Sequence, residues 1–198
     1  YFRDEDDRIE ESENFTLNGL DHYRISNELL HLEEAKFNYY FAKQRVKGIM
    51  PRGEFAEVCA QSIRADVLAF KEKIKDYSSP HSESVDFVVE TAQGNIRLFG
   101  YMEPLFGDEN QIIEWRFAKY KDRYRIRPWL YYLIQLATKE NALPPRIIAK
   151  DKDLTLKTIE KSTALEKLKM YVEAYLQSQQ QIQLIPTENI AKFIEKDE

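Results

Sequence analysis

The sequence predicts an α+β fold, because two hydrophobic periods occupy separate parts of the chain. Between residues 54 and 77, apolar side chains recur at steps of three and four, which places them on one face of an α-helix. From 85 to 117 the period changes to two, which is typical of β-strands with one buried face. Helical spacing returns at 129–141. This grouping of helices and strands indicates the α+β class.

The helices are predicted from their apolar periodicity and from the residues that end it. The segment 48–53 contains two glycines and a proline, and it separates an N-terminal helical region from the long helix that follows. Pro128 suits the first turn of a later helix, and the prolines at 144 and 145 end that helix. The predicted helices cover 20–31, 33–47, 54–77, 129–141, 163–178 and 187–196.

The strands are predicted where alternating hydrophobicity is bounded by turn residues. Gln93, Gly94 and Asn95 form one turn signal, and residues 106–110 form a second. We therefore expect the first three strands to form an antiparallel meander. The predicted strands are 85–91, 96–105 and 111–117 in this meander, followed by 146–149, 154–159 and a short strand at 184–185.

The composition limits the class of protein. Hydrophobic residues make up 43% of the 198 residues, which is too many for a disordered chain. No window approaches the roughly 18–20 uncharged apolar residues of a membrane-spanning helix, so no membrane partner is expected. The single cysteine, Cys59, excludes a disulfide framework and fits a reducing compartment, so we expect a cytoplasmic protein.

The net charge of −5 is concentrated at the N-terminus. Residues 1–14 contain two arginines and seven acidic residues, and the other 184 residues have equal numbers of basic and acidic side chains. Because like charges repel, an acidic run is expected to be an extended, solvated connector. We predict an acidic connector at 1–16 and one folded domain at 17–198. The first residue is Tyr1 rather than methionine, which indicates a fragment of a longer chain.

A basic and aromatic stretch at 115–127 contains six cations, one anion and four aromatic residues. Three interpretations fit this composition. In the first, the cations neutralise phosphates and the aromatic rings stack on unpaired bases of single-stranded DNA. In the second, the stretch is a protein interface, where Arg, Tyr and Trp are common anchors. In the third, the rings lie in the core and the cations are solvated. The first interpretation assigns nucleic-acid binding to Trp115, Arg116, Lys119, Lys121, Arg123 and Arg125.

Two acidic residues on neighbouring predicted strands suggest a second kind of site. Glu103 lies on one strand, and Glu114 lies on the next, two residues before Arg116. Clustered carboxylates with a nearby cation can bind Mg²⁺ and hydrolyse phosphodiesters, as in nucleases of the restriction-endonuclease-like fold. Those enzymes use a lysine where this chain has Arg116, and arginine cannot lose its proton. The pattern therefore fits either a metal-dependent nuclease or an inert ion pair.

Other catalytic designs find no support in the sequence. No glycine-rich phosphate-binding loop and no GxSxG nucleophile motif are present. The three histidines do not stand at metal-ligand spacings with each other or with Cys59, so no zinc site is predicted.

Nearly the whole chain resembles a known family. The matching stretches keep their order and spacing over about 180 residues, and they lie at 17–23, 29–30, 50–57, 100–102, 115–116, 129–130, Tyr171, Tyr175 and 184–186. In these stretches the sequence resembles the C-terminal region of the gamma chain of exodeoxyribonuclease V, the RecC family.

The resemblance implies a restriction-endonuclease-like fold, with a central mixed sheet flanked by helices and a degenerate active site. Active nucleases of this fold have a Gln four residues before a Tyr on the following helix. Here Tyr132 is present, but Pro128 occupies the Gln position. No catalytic residue, metal or cofactor is therefore expected in this domain. Mg²⁺ and ATP are expected only in the partner subunits.

The resemblance also implies a role. It points to a non-catalytic, DNA-guiding and subunit-docking domain of a three-subunit helicase-nuclease that acts in double-strand-break repair and homologous recombination. The implied partners are the beta and alpha chains, RecB and RecD, and DNA, expected to be single-stranded. Two alternatives stay open: an active Mg²⁺-dependent nuclease that uses Glu103, Glu114 and Arg116, and a structural docking domain that does not contact DNA.

Overall fold

The computed structural model describes residues 17–77, 79–106 and 111–180. The acidic connector predicted at 1–16, most of the turn at 106–110, the short strand at 184–185 and the helix at 187–196 lie outside these residues. The elements of the described chain are α1 (Gly19–Leu30), α2 (Phe37–Val46), α3 (Gly53–Ile74), β1 (His81–Thr91), β2 (Gly94–Leu105), β3 (Gln111–Arg116), α4 (Ile126–Thr138), β4 (Leu143–Ala149), β5 (Asp153–Thr155) and α5 (Lys161–Gln180). The α+β class predicted from the sequence is confirmed.

The chain divides after Lys71 into two compact units. In the first unit, the Asn18 side chain accepts the Asp21 backbone N–H at 2.8 Å and so caps α1. The predicted break between α2 and α3 is confirmed, and Gly48 and Gly53 have φ angles of 70° and 62°, which favour glycine. The apolar faces of the three helices are buried through Ile25, Leu29, Phe37, Phe41, Ile63 and Val67.

The second unit contains two small sheets. Strands β1 and β2 form an antiparallel hairpin, in which Val85 lies opposite Gly100 and Phe87 lies opposite Leu98. Strand β3 pairs in parallel with β4, and β4 pairs antiparallel with β5, so the second sheet is mixed. Helix α4 forms the crossover from β3 to β4 that a parallel pair requires.

The meander predicted for the first three strands is wrong in its third strand. Only an isolated bridge between Phe106 and Ile113 relates β3 to the end of β2 among the described residues. The physical reason lies in the burial of β3, where Ile112, Ile113 and Glu114 are all buried in succession. A strand covered on both faces is typical of parallel pairing, whereas an alternating strand suits an open meander.

The core of the second unit is built around α4. This helix buries Trp129, Tyr132, Leu133 and Leu136, and Pro128 lies in its first turn as predicted. Apolar side chains from the surrounding elements complete the same cluster: Val85, Met102, Leu105, Ile112, Ile147, Leu156, Ala164 and Leu168. Two small sheets with flanking helices replace the single central sheet that the sequence predicted, and a restriction-endonuclease-like topology stays a prediction.

No helix within 17–77, 79–106 and 111–180 is long and apolar enough to cross a membrane.

A truncation at the centre of α4 tests this core. We expect Leu133→Ala to lower the free energy of unfolding by about 2–5 kcal/mol, because Leu133 is fully buried and its loss leaves a cavity. Leu165→Ala on α5 is the matched control, and we expect a change within about 0.5 kcal/mol because Leu165 is exposed. Urea unfolding measures both. Equal losses would contradict the placement of α4.

Candidate nucleic-acid interface

The candidate interface lies at the edge where β3 and β4 both end. Because the two strands are parallel and Arg116 pairs with Ala149, their carboxyl ends lie side by side. We call residues 116–127, from the last residue of β3 to the first turn of α4, the basic crossover. We call residues 150–152, which follow β4, the β4–β5 turn. Ligands commonly bind outside the carboxyl ends of parallel strands, where the loops that follow them converge.

Two backbone contacts join the basic crossover to the β4–β5 turn. The Lys150 N–H donates to the Ala118 carbonyl at 3.0 Å. The Tyr120 N–H donates to Asp151 Oδ1 at 2.7 Å, which is the short distance of a charge-assisted hydrogen bond. The two loops therefore form one surface, although 31 residues separate Tyr120 from Asp151 in the sequence.

This surface is strongly basic. With Glu114 at its base, it contains eight cations and three carboxylates. Of the predicted DNA-binding residues, Arg116, Lys119, Lys121 and Arg123 are exposed, Trp115 is partly buried and Arg125 is buried. The sequence pattern did not indicate Lys150 and Lys152, since they follow a different strand. The buried run in β3 could have revealed them. Such a run indicates a parallel partner strand, and with β4 as that partner the turn after β4 lies at this edge.

Two tyrosines of the basic crossover are covered by cations. Lys152 Nζ lies 4.4 Å from the centroid of the Tyr120 ring, and the Arg125 guanidinium lies 5.8 Å from it. Burial raises the pKa of the Tyr120 phenol, and the Arg125 Nε–H, which donates to the phenol oxygen, acts in the opposite direction. The guanidinium groups of Arg116 and Arg123 each lie 5.8 Å from the Tyr124 ring. These are cation–π distances.

The other two aromatic residues pack inward. Phe117 is buried, with Lys150 Nζ 5.0 Å from its ring centroid. Trp115 contacts Phe106, with ring centroids 5.2 Å apart and planes tilted by 56°. The third sequence interpretation, with aromatics in the core, therefore describes Phe117, while the cations are largely exposed.

Glu114 is buried and enclosed by two arginines. It is 3% exposed, and Arg116 Nε donates to its Oε1 at 2.9 Å. Arg127 donates to the second oxygen, Oε2, through Nε at 3.1 Å and also through Nη2. Both carboxylate oxygens therefore accept hydrogen bonds from guanidinium groups, and this position neutralises a buried charge.

Glu103 is not brought to the same sheet as Glu114. It lies on β2 in the hairpin, its side chain is exposed, and the Tyr131 hydroxyl donates to its backbone carbonyl at 3.4 Å. Among the described residues, no group of three or more His, Cys, Asp or Glu side chains could bind a metal ion. Pro128 and Tyr132 are both buried on α4, and burial raises the pKa of the Tyr132 phenol.

The site defines a class of protein module: an α+β domain with a basic strand edge and a strand carboxylate neutralised by arginine. Comparison with known proteins gives the family. The RecC C-terminal domain family matches residues 1–198. The chain belongs to this family, and the resemblance predicted from the sequence is confirmed.

Two relatives define the extent of the match. The RecBCD enzyme subunit RecC of Haemophilus influenzae is 55% identical over 203 aligned residues, which cover 100% of this chain and 18% of the relative. The RecBCD enzyme subunit RecC of Escherichia coli is 23% identical over 176 residues, which cover 88% of this chain and 15% of the relative. The chain thus spans less than a fifth of the length of these curated relatives.

Removing the Glu114 carboxylate tests its structural role. We expect Glu114→Ala to lower the free energy of unfolding by about 1.5–3 kcal/mol, because Arg116 and Arg127 lose their shared partner while both remain partly exposed. Thermal or urea unfolding measures this loss. Glu166→Ala, at an exposed position of α5, is the control and should change stability by less than about 0.5 kcal/mol. A neutral result at Glu114 would show that the ion pairs are not structural.

Proposed function

We propose that this chain is a non-catalytic, DNA-guiding and subunit-docking domain of a RecBCD-type helicase-nuclease. The complex would act in the cytoplasm in double-strand-break repair and homologous recombination, with RecB- and RecD-type chains as partners. Family membership supports the setting, since both relatives are named RecBCD enzyme subunits. The observation that carries the DNA-guiding part is the cationic edge formed by the basic crossover and the β4–β5 turn.

The DNA-guiding role rests on cations that the fold leaves available. Lys119 and Lys121 are exposed and form no ion pair within the described residues. Arg123 and Lys152 are also exposed, and they contact tyrosine rings rather than carboxylates. Concentrated positive charge attracts the phosphate backbone of DNA and releases its condensed counterions. This edge is therefore suited to bind a DNA strand.

The non-catalytic assignment rests on Glu114. The Glu114 carboxylate accepts hydrogen bonds on both oxygens from Arg116 and Arg127, and these two guanidinium groups compete with Mg²⁺ for it and already neutralise its charge. Metal-dependent hydrolysis of phosphodiesters needs carboxylate oxygens that coordinate the ion. Glu103 lies in the other sheet, so it is poorly suited to complete a metal site with Glu114. These contacts favour the non-catalytic role over the nuclease alternative.

The docking role rests on the outer face of the hairpin. We define the outer hairpin face by Val88, Phe99 and Tyr101, which are 54%, 77% and 72% exposed. Strand alternation places them opposite the buried Val85 and Val89, whose side of the hairpin faces α5. An apolar patch of this kind is typical of interaction surfaces.

The charges around this patch favour a protein occupant over DNA. Arg97 is neutralised by Asp86, to which it donates at 2.7 and 2.6 Å. Glu90 and Glu103 are exposed nearby, so the surroundings are acidic and repel phosphates. We assign the outer hairpin face to another subunit of the complex, one that presents an apolar patch flanked by lysine or arginine.

Paired substitutions in the basic crossover test the DNA-guiding role. The test uses the full-length protein that carries this chain, assembled with its partner subunits. We expect Lys121→Ala with Arg123→Ala to weaken binding of single-stranded DNA. The slope of log affinity against log salt is negative, and its magnitude should fall by about 1.4, at ~0.7 per lost phosphate contact. Fluorescence anisotropy at several salt concentrations measures both quantities.

The control pair is Lys161→Ala with Lys169→Ala, which removes the same charge from exposed positions on α5. Equal affinity for the Lys121/Arg123 variant and the wild type at low salt would favour a structural domain without DNA contact. The same preparations test the nuclease alternative. Mg²⁺-dependent cleavage that Glu114→Gln abolishes, while partner active sites are inactivated, would overturn the non-catalytic assignment.

Substitutions on the outer hairpin face test the docking role. We expect Phe99→Ala with Tyr101→Ala to weaken assembly with the partner subunits, because two large exposed aromatic side chains are lost from the patch. Met170→Ala with Tyr175→Ala removes comparably exposed apolar side chains from α5 and should leave assembly unchanged. Co-purification and titration of labelled subunits measure the dissociation constant. The opposite pattern would move the docking surface to α5.

A further inference from the structure

The basic crossover contains aromatic residues and cations together, and this composition alone suggests stacking on unpaired bases. Stacking needs an aromatic ring with an accessible face. Trp115, Tyr120 and Tyr124 are partly buried, and Phe117 is only 4% exposed. The rings are therefore poor platforms for bases, although the cations beside them are exposed.

Cationic side chains already lie against the rings of the two tyrosines. Lys152 and Arg125 lie within cation–π distance of Tyr120, and Arg116 and Arg123 lie within that distance of Tyr124. A base that stacked on either tyrosine would have to displace a cation from the ring. That exchange would lose the cation–π attraction and the defined position that the ring gives the cation.

Tyr120 is fixed at both ends. Its backbone N–H donates to Asp151 Oδ1 at 2.7 Å, and its phenol oxygen accepts the Arg125 Nε–H. The ring therefore lies between the basic crossover and the β4–β5 turn as a support for Lys152. Lys152 keeps its ammonium exposed, and an ammonium has three donors for phosphate oxygens.

From this geometry we infer that the site binds the phosphodiester backbone of the strand and does not stack on its bases. This inference rests on the proposed DNA-guiding function. It adds Lys152 of the β4–β5 turn to the binding residues and gives the tyrosines a positioning role. The affinity of this edge for a strand would therefore be independent of the base sequence.

The test compares an ordinary oligothymidylate with a strand of the same length in which the bases are removed and the phosphates kept. Both are titrated against the full-length protein in its assembled complex, in wild type and in Lys152→Ala. Because other parts of the complex also bind DNA, the readout is the ratio of variant to wild-type dissociation constants for each strand.

We expect Lys152→Ala to weaken the binding of both strands by the same factor. The ratio should shrink by about 2.5-fold between 50 and 200 mM salt, as expected for one lost phosphate contact at a salt slope of ~0.7. Tyr124→Leu, which removes the ring beneath Arg116 and Arg123, should also weaken both strands equally. Lys161→Ala should change neither.

Two results would overturn the inference while leaving the proposed function intact. One is a loss caused by Tyr124→Leu or Lys152→Ala that is confined to the strand with bases, which would indicate stacking. The other is a Lys152→Ala protein that matches the wild type while the Lys121/Arg123 variant is impaired. If that variant also matches the wild type on both strands, the DNA-guiding function itself is wrong.

Discussion

The parallel pairing of β3 with β4 is the constraint on which the second unit depends. A parallel pair cannot be joined by a tight turn, so the chain must cross over, and α4 fills that crossover. The crossover places an apolar helix against both sheets, where it supplies much of the core. The same pairing brings the ends of β3 and β4 together, so one register determines both the packing and the composition of the basic edge.

The basic edge also shows how charge and packing support one another. Its cations are held by contacts with aromatic rings and by one buried carboxylate, Glu114, instead of by a layer of surface ion pairs. An ammonium over a ring loses little of its charge to a partner, whereas an ammonium beside a carboxylate is neutralised. The arrangement keeps a positive potential at the surface while the rings give it a defined geometry.

Within the described residues, the sequence predicted the class, the helices and most strands, since periodicity reports local geometry directly. It did not predict the partner of β3, because strand pairing depends on long-range packing. In addition, Ile113, Trp115 and Phe117 alternate along the sequence, and this alternation concealed that Ile112 and Glu114 are buried as well. The strand β1 begins at His81, earlier than predicted, since Pro80 reads as a loop signal. Lys152 was missed for the same reason as the pairing.

The enclosure of Glu114 makes its neutralisation tolerant of single substitutions. A buried carboxylate with one arginine partner would be left without a counter-charge by a single substitution. Here Arg127, which lies in the first turn of α4, binds the second oxygen independently. A lysine at 116 would still leave Glu114 paired. Glu114 is therefore held by two separate contacts, and a change at one arginine leaves the pairing with the other in place.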